Sequence, residues 1–377
     1  MQLFDVYPLL DIEPVSALGC TVTDAQGVRY LDLYGGHAVI SIGHGHPHYV
    51  ARMEQQLRKI GFYSNSVQNS LQKELAHKLG ILSGYPDYAL FLCNSGAEAN
   101  ENAFKLAAYK TGKSKILAFS KAFHGRTAGA VACSDKPSIR SPFCFPDDSV
   151  CFLPFEDSEA VEKELKSGDY AAVIIEGIQG VGGIVTPSAA FMQTLHRLCN
   201  QYQVPLILDE IQSGYGRTGA FFAHQHYGIE ADLITVAKGM GNGFPVGGVL
   251  ISPDFTPRHG QLGTTFGGNH LACAAALAVL EVMEQESLIT NAQKIGDYLF
   301  EQLSGVSKGI SGLRGKGLMI GFESGPEYPG LRNDLIYKEH CFTGASGSNT
   351  IRLLPPLCLT MAESKQFMTS LNHIINE

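Results

Sequence analysis

Two hydrophobic rhythms alternate along the chain between about residue 47 and residue 250. Continuous apolar runs of strand length fall at 89–93, 115–119, 171–175, 205–208, 233–237 and 248–251. Stretches with helical spacing separate them, among them 98–109, 159–166 and 189–202. Strand–helix alternation of this kind predicts an α/β unit, a mostly parallel sheet with helices on both faces. Ligands of such sheets bind beyond the carboxyl ends of the strands. Lys238, Asp209, Glu176 and the run Asn94-Ser95-Gly96 all stand at those ends, so they are expected to converge.

The flanks follow other patterns. Residues 21–31 have the alternation of a hairpin with its turn around 24–27. A long helical pattern over 271–286 leads out of the alternating region, and the rest mixes helix with short strands. This predicts an N-terminal segment (1–46) packed with a smaller α+β domain (288–377), and a large ligand-binding domain (47–287) between them. A chain of 377 residues is long enough for two domains.

Composition narrows the function classes. Apolar residues make up 45% and charged residues 17%, which suits a folded core rather than a disordered chain. The net charge of −8 gives no footprint for a polyanion, so nucleic acid is not an expected partner. No apolar run approaches the ~20 residues that span a bilayer, so no membrane partner is expected. The opening Met1-Gln2-Leu3-Phe4-Asp5-Val6-Tyr7-Pro8 lacks a basic segment followed by a long apolar one, so a cytoplasmic location is expected. The nine cysteines are odd in number, form no Cys-x-x-Cys and sit in apolar contexts; reduced, packed thiols are expected.

Several stretches carry candidate chemistry. Lys238 closes one apolar run and Asp209 lies at the end of another, each before a glycine-containing turn. A lysine held in an apolar site loses part of its preference for the charged form and becomes a usable nucleophile. A Schiff-base lysine with an acid for a pyridinium nitrogen is the signature of pyridoxal phosphate (PLP) chemistry, although a solvated lysine at a strand end has the same local sequence. Ser95, Gly96 and Ala97 stand between a strand and a helix, where free N–H groups and the helix dipole suit a phosphate; an ordinary capped helix is the other reading. Phe123-His124-Gly125-Arg126-Thr127 offers a ring that can stack on a planar cofactor and a guanidinium that can bind a carboxylate. Glu176-Gly177-Ile178-Gln179-Gly180-Val181-Gly182-Gly183 ends another strand; it does not meet the strand–helix spacing of a dinucleotide fingerprint, and no P-loop is present. His37 and His44-Gly45-His46-Pro47-His48 raise a metal reading. Glycine and proline make that run a turn, no acid or cysteine completes a ligand set, and no metal is expected.

Together these residues resemble the subgroup III (ornithine, acetylornithine and GABA type) aminotransferases of PLP fold type I, with the acetylornithine branch the nearest likeness. The likeness covers nearly the whole chain and includes Tyr30-Leu31-Asp32, Gly43-His44-Gly45-His46-Pro47, the runs 94–101, 123–127, 176–183, 208–219 and 237–248, Gly263-Thr264-Thr265-Phe266-Gly267-Gly268-Asn269 and 351–357. It implies a seven-stranded-type sheet in the large domain and PLP as cofactor. It further implies Lys238 as the Schiff-base and proton-shuttling lysine, Asp209 on the pyridinium nitrogen, Gln212 on the phenolic oxygen and Phe123 on the ring. Ser95, Gly96 and Ala97 would hold the phosphate. Thr265 would reach the phosphate of a second subunit, making the active unit a homodimer. Arg126 and Thr264 would serve the donor, and Arg352 the carboxylate beside the amine of glutamate.

The implied reaction passes an amino group from N-acetylornithine to 2-oxoglutarate. N-succinylornithine, free ornithine and GABA are rival donors; an aminomutase and a nicotinamide-dependent oxidoreductase are more distant rivals. The chain also departs from its relatives. Many carry a glutamate after Gln179-Gly180 that pairs with the second arginine while the donor is bound, and here the residue is Val181. Gly177 and His270 each stand where a proline is usual.

Overall fold

The computed structural model describes residues 1–143 and 145–376. Its centre is a seven-stranded sheet with the spatial order Ala89–Cys93, Gly247–Ile251, Leu233–Val236, Leu206–Asp209, Tyr170–Glu176, Lys115–Phe119, Val150–Leu153. Gly247–Ile251 runs antiparallel to both of its neighbours, and the other adjacent pairs are parallel. Each of the six expected strands forms to within a residue or two. The seventh, Val150–Leu153, is a four-residue edge strand, mostly half-buried, and its short run gave little periodic signal.

The continuous apolar runs follow from burial on both faces. Ile116, Ala118, Ala172, Ile174, Ile207 and Val249 face one buried cluster, while Leu117, Phe119, Val173, Ile175, Leu206, Leu208 and Leu250 face another. Successive strand side chains point to opposite faces, so a strand covered on both sides must be apolar throughout. The helix Gly96–Thr111 lies on the first face through Ala99, Ala103 and Ala107, whose i, i+4, i+8 spacing makes a small-residue stripe that lets the helix sit close. Ala189–Tyr202 covers the other face with Phe191, Leu195 and Leu198.

Outside this unit are two four-stranded sheets. Thr21–Asp24 and Arg29–Asp32 form the expected hairpin, with Asp24 Oδ1 accepting from the N–H of Gln26 (2.9 Å) and Val28 (2.8 Å) to shape the turn. Cys341–Phe342 joins that sheet beside Arg29–Asp32 in parallel. Near the C-terminus, Ile310–Lys316, Met319–Ser324, Thr350–Leu353 and Gly344–Ser346 form the second. The helix His270–Gln285 is buried along most of its length. It belongs to one apolar cluster that also takes in Cys20 and Leu31 at one end of the chain and Ile374 and Ile375 at the other. Eight cysteines are free thiols, and Cys144 lies outside the described residues. Among the described residues no helix is long and apolar enough to cross a membrane.

Candidate active site

Five chain turns meet at one edge of the large sheet around a cavity of about 290 Å³, lined among others by Ser95, Phe123, Glu176, Asp209, Gln212 and Lys238. Lys238 follows the strand Leu233–Val236 with φ at +46°, a left-handed conformation unusual for a side-chain-bearing residue. Strain of this kind persists where the surroundings over-determine the backbone, and it concentrates at functional sites. Burial lowers the Lys238 pKa from 10.5 to about 8; Asp209 and Glu176 act against that fall, and Arg352 adds to it. The amine is therefore far more available as a nucleophile near neutral pH than an ordinary lysine.

Asp209 ends the neighbouring strand and is 3% exposed. Its Oδ2 lies 2.7 Å from His124 Nδ1 and accepts from Asn100 Nδ2 at 2.9 Å, while its Oδ1 accepts from the Ile211 N–H at 3.1 Å. Asn100 also donates to the His124 carbonyl at 2.7 Å, so three elements hold one carboxylate in place. On the next strand, Glu176 accepts from the N–H of Phe123 (3.1 Å) and of Gly180 (2.8 Å). Burial pushes its carboxyl up to about 7; His124 opposes the rise, Asp209 adds to it, and the two backbone donors also oppose it.

The helix Gly96–Thr111 begins at the cavity. Its N-cap Ser95 accepts from the Glu98 N–H at 3.2 Å, and Glu98 Oε2 accepts from the backbone (2.7 Å) and side chain (2.9 Å) of Asn94. These contacts fix the first turn and leave the N–H groups of Gly96 and Ala97 at the cavity wall, where the helix dipole favours an anion. Gly125 (φ +137°) passes so close that a Cβ there would lie 2.7 Å from Ala97 Cβ. Glycine at that position is what brings Phe123 and His124 up to the helix start.

Gln212 donates through Nε2 to the His37 carbonyl at 3.2 Å, and its Oε1 is buried without a partner. Arg352, on the strand Thr350–Leu353, is 4% exposed and donates through Nη1 to the Gly180 carbonyl at 3.1 Å. Burial lowers its pKa, an effect opposed by the Tyr34 hydroxyl and by Glu176.

The expected residues do not all meet. Lys238, Asp209, Gln212, Phe123, Ser95, Gly96 and Ala97 line the cavity. Arg126 is exposed and is not among its lining residues, although both neighbouring glycine and histidine are. Thr265 is also exposed, and Thr264 is occupied in loop structure: its Oγ1 accepts from Asn94 Nδ2 and from the Gly267 N–H, both at 3.1 Å. The histidines diverge to different partners: His44 to Asp32 (2.8 Å), His46 to Glu286 (2.9 Å), His48 to Glu281 (2.5 Å) and His37 to the Tyr34 hydroxyl. Sequence reasoning gave no role to Asn100, His124, Gly180 or Tyr34. His124 had a signal, since it lies beside Phe123 in a motif; Asn100 had only its place one turn into the helix Gly96–Thr111.

The class-III aminotransferase family model matches residues 6–375. The chain is 41% identical over 99% of its length to the acetylornithine aminotransferase of Bacillus subtilis, spanning 97% of that protein. It is 41% identical over 92% of its length to the acetylornithine aminotransferase of Archaeoglobus fulgidus, spanning 90% of that one. Among solved structures it resembles the ornithine aminotransferase of Toxoplasma gondii, described with partial occupancy of PLP at its active site, with a TM-score of 0.90 at 28% identity over 96% of this chain and 90% of that one. The chain belongs to the class-III aminotransferases and is a PLP-dependent enzyme.

The cavity suits that cofactor on its own terms. A helix N-terminus can take the phosphate, a buried carboxylate can take a pyridinium, and an amine of lowered pKa lines the same cavity. Gln212 Oε1 is buried without a partner, an acceptor left for a bound polar group, and a Cβ on Gly180 would fall 1.8 Å from it, so glycine there is what admits the Gln212 side chain.

Proposed function

We propose that the enzyme moves the amino group of N-acetylornithine to 2-oxoglutarate, giving N-acetylglutamate semialdehyde and glutamate, a step of arginine biosynthesis. One observation carries this reading. A single cavity is lined by Lys238, Asp209 and the helix start at Ser95, with Arg352 outside the lining but within the field of Lys238, in a chain resembling acetylornithine aminotransferases over nearly its whole length.

PLP, when bound, supplies an electron sink for the carbon that bears the reacting amine. The chain's residues do the rest. The N–H groups of Gly96 and Ala97, with Ser95, hold the phosphate. Asp209, oriented by Asn100 and His124, would meet the pyridinium nitrogen. Phe123 would cover the ring and Gln212 would meet its phenolic oxygen. Lys238 Nζ would hold the cofactor covalently and, once free, its amine would move the proton at the substrate carbon. Arg352 takes the glutamate carboxylate next to the amine, and Arg126 takes the far carboxylate of either substrate. Thr264 tethers the loop that carries Thr265.

In this reading the working unit is a homodimer. Thr265 reaches the phosphate of the second subunit, and that subunit brings surface against the mouth near Arg126. An exposed apolar group beside Thr265 supports it: Phe62 and Phe266 pack with ring centroids 5.3 Å apart, and Tyr63 and Val67 are also exposed.

The half-reaction spectrum tests the assignment. The yellow holoenzyme is mixed with N-acetylornithine, N-succinylornithine, ornithine or GABA without a keto acid. Rapid bleaching with N-acetylornithine is expected. Faster bleaching with the succinyl donor would reassign the acyl group, and bleaching only with ornithine or GABA would overturn the reading.

A further inference from the structure

Gly180 is the shared neighbour of two opposite charges. Its N–H donates to Glu176 Oε2 at 2.8 Å, and its carbonyl accepts from Arg352 Nη1 at 3.1 Å. The carboxylate and the guanidinium therefore hold the two ends of adjoining peptide groups. Among the described residues they form no direct ion pair.

The hydrogen-bonding neighbours of Arg352 are neutral. They are the Gly180 carbonyl and the Tyr34 hydroxyl, and Nε is buried with no partner. The adjoining wall residue Val181 offers no charge. A buried guanidinium cannot give up its proton to escape the cost of burial, so a counter-charge has to lie within its field. Glu176 is the carboxylate that does so, while Arg332 adds to the positive side.

We propose that Glu176 is a proton-linked counter-charge for Arg352, ionised while a donor with no carboxylate beside its reacting amine fills the cavity, and protonated when a dicarboxylate docks on Arg352. This rests on the reading of Arg352 as the glutamate arginine. The charge balance is simple. Docking brings one negative charge to the site, one proton from solvent joins a Glu176 oxygen, and both leave together. A retractable acid at position 181 is then unnecessary, because the counter-charge is switched by a proton rather than by a moving side chain.

The groups that face Glu176 are His124, Asp209, Lys238 and Arg352, together with the N–H donors of Phe123 and Gly180. Burial already places its titration at about 7, so a new charge beside it decides its state at neutral pH. An added negative charge favours the protonated form, so binding takes up a proton and weakens as pH rises.

Lys238 could also take up that proton, and Lys238→Ala with PLP bound removes it. Glutarate is titrated into this holoprotein by calorimetry in two buffers of different ionisation enthalpy, neither of them a primary amine. The expected result is uptake of a sizeable fraction of a proton per glutarate, with binding about five- to tenfold weaker at roughly pH 8.5 than at roughly pH 6.5. Adding Glu176→Gln should abolish both effects.

Because glutamine loses one acceptor for the two N–H groups, a second readout keeps the proposal open to refutation if that variant misfolds. In the infrared difference spectrum of the Lys238→Ala holoprotein, a protonated-carboxyl band should appear on glutarate binding and stay in place when the glutarate is carbon-13 labelled. Heat independent of buffer, proton uptake that survives Glu176→Gln, or no such band would overturn the proposal. Failure of glutarate to bind the wild-type holoenzyme would instead remove the reading of Arg352, and this inference with it.

Discussion

His124 Nδ1 lies 2.7 Å from Asp209 Oδ2, and both side chains are almost wholly buried, at 0% and 3% exposure. The contact joins the turn after the strand Lys115–Phe119 to the end of Leu206–Asp209, two strands away across the sheet. An acid that must stay beside a pyridinium nitrogen needs a fixed orientation, and a buried hydrogen bond to a ring supplies one. His124→Ala should therefore lower kcat by roughly 10- to 100-fold, the loss of one charge-assisted hydrogen bond worth about 1.5–3 kcal/mol. Asn100 and the Ile211 N–H remain on Asp209, so KM for both substrates should change little. Steady-state kinetics with each substrate varied check this, and a kcat within twofold of wild type would remove His124 from the mechanism.

Lys238 gives a pH signature in the cofactor-free protein. Its folded pKa of about 8 lies below the ordinary 10.5, so between those values the unfolded chain binds more protons and the lysine's burden on stability lifts as pH rises. Below about 8 the amine is charged in both states and the burden is full. Lys238→Met should therefore stabilise the apoprotein by roughly 2–3 kcal/mol at neutral pH, and the gain should fade as pH climbs toward the ordinary lysine value. Denaturant melts of both proteins across that range show whether the gap narrows; a gap constant with pH would mean the amine is not desolvated.

Arg352→Ala should separate the two half-reactions. Loss of a bidentate contact to the glutamate carboxylate costs roughly 2–4 kcal/mol in that half-reaction. The acylornithine half-reaction, with no carboxylate at that place, should fall by much less. Stopped-flow bleaching with each donor measures both rates on one preparation, and equal losses would show that Arg352 does not select glutamate.

Gly125→Ala tests the close approach that frames the proposed phosphate cradle. The new Cβ would lie 2.7 Å from Ala97 Cβ and 2.9 Å from Ala130 Cβ, at a φ of +137° that alanine rarely adopts. Overpacking and backbone strain together should cost about 2–4 kcal/mol. The damage falls on the helix start, so affinity for PLP should drop as well. Thermal melts of the apoprotein and a PLP titration read the two effects, and an unchanged melting temperature would mean the turn can relax.

Some of this protein was written in the chain itself. The apolar runs are continuous because the strands are covered on both faces, so their pattern determined the α/β class and put Asn94, Glu176, Asp209 and Lys238 at one sheet edge. The helix start at Ser95 was legible because a helix N-terminus is a local structure, settled by residues a few positions apart. What tertiary structure alone decided depends on residues far apart in sequence. Arg352 meets the Gly180 carbonyl across 172 positions, and Asn100 reaches Asp209 across 109. No periodicity records such pairs, because they arise only when separate strands are laid side by side. The lowered Lys238 and the raised Glu176 are of the same kind. Each shift comes chiefly from burial, and burial is a property of the assembled sheet edge rather than of the residue or its neighbours in the chain.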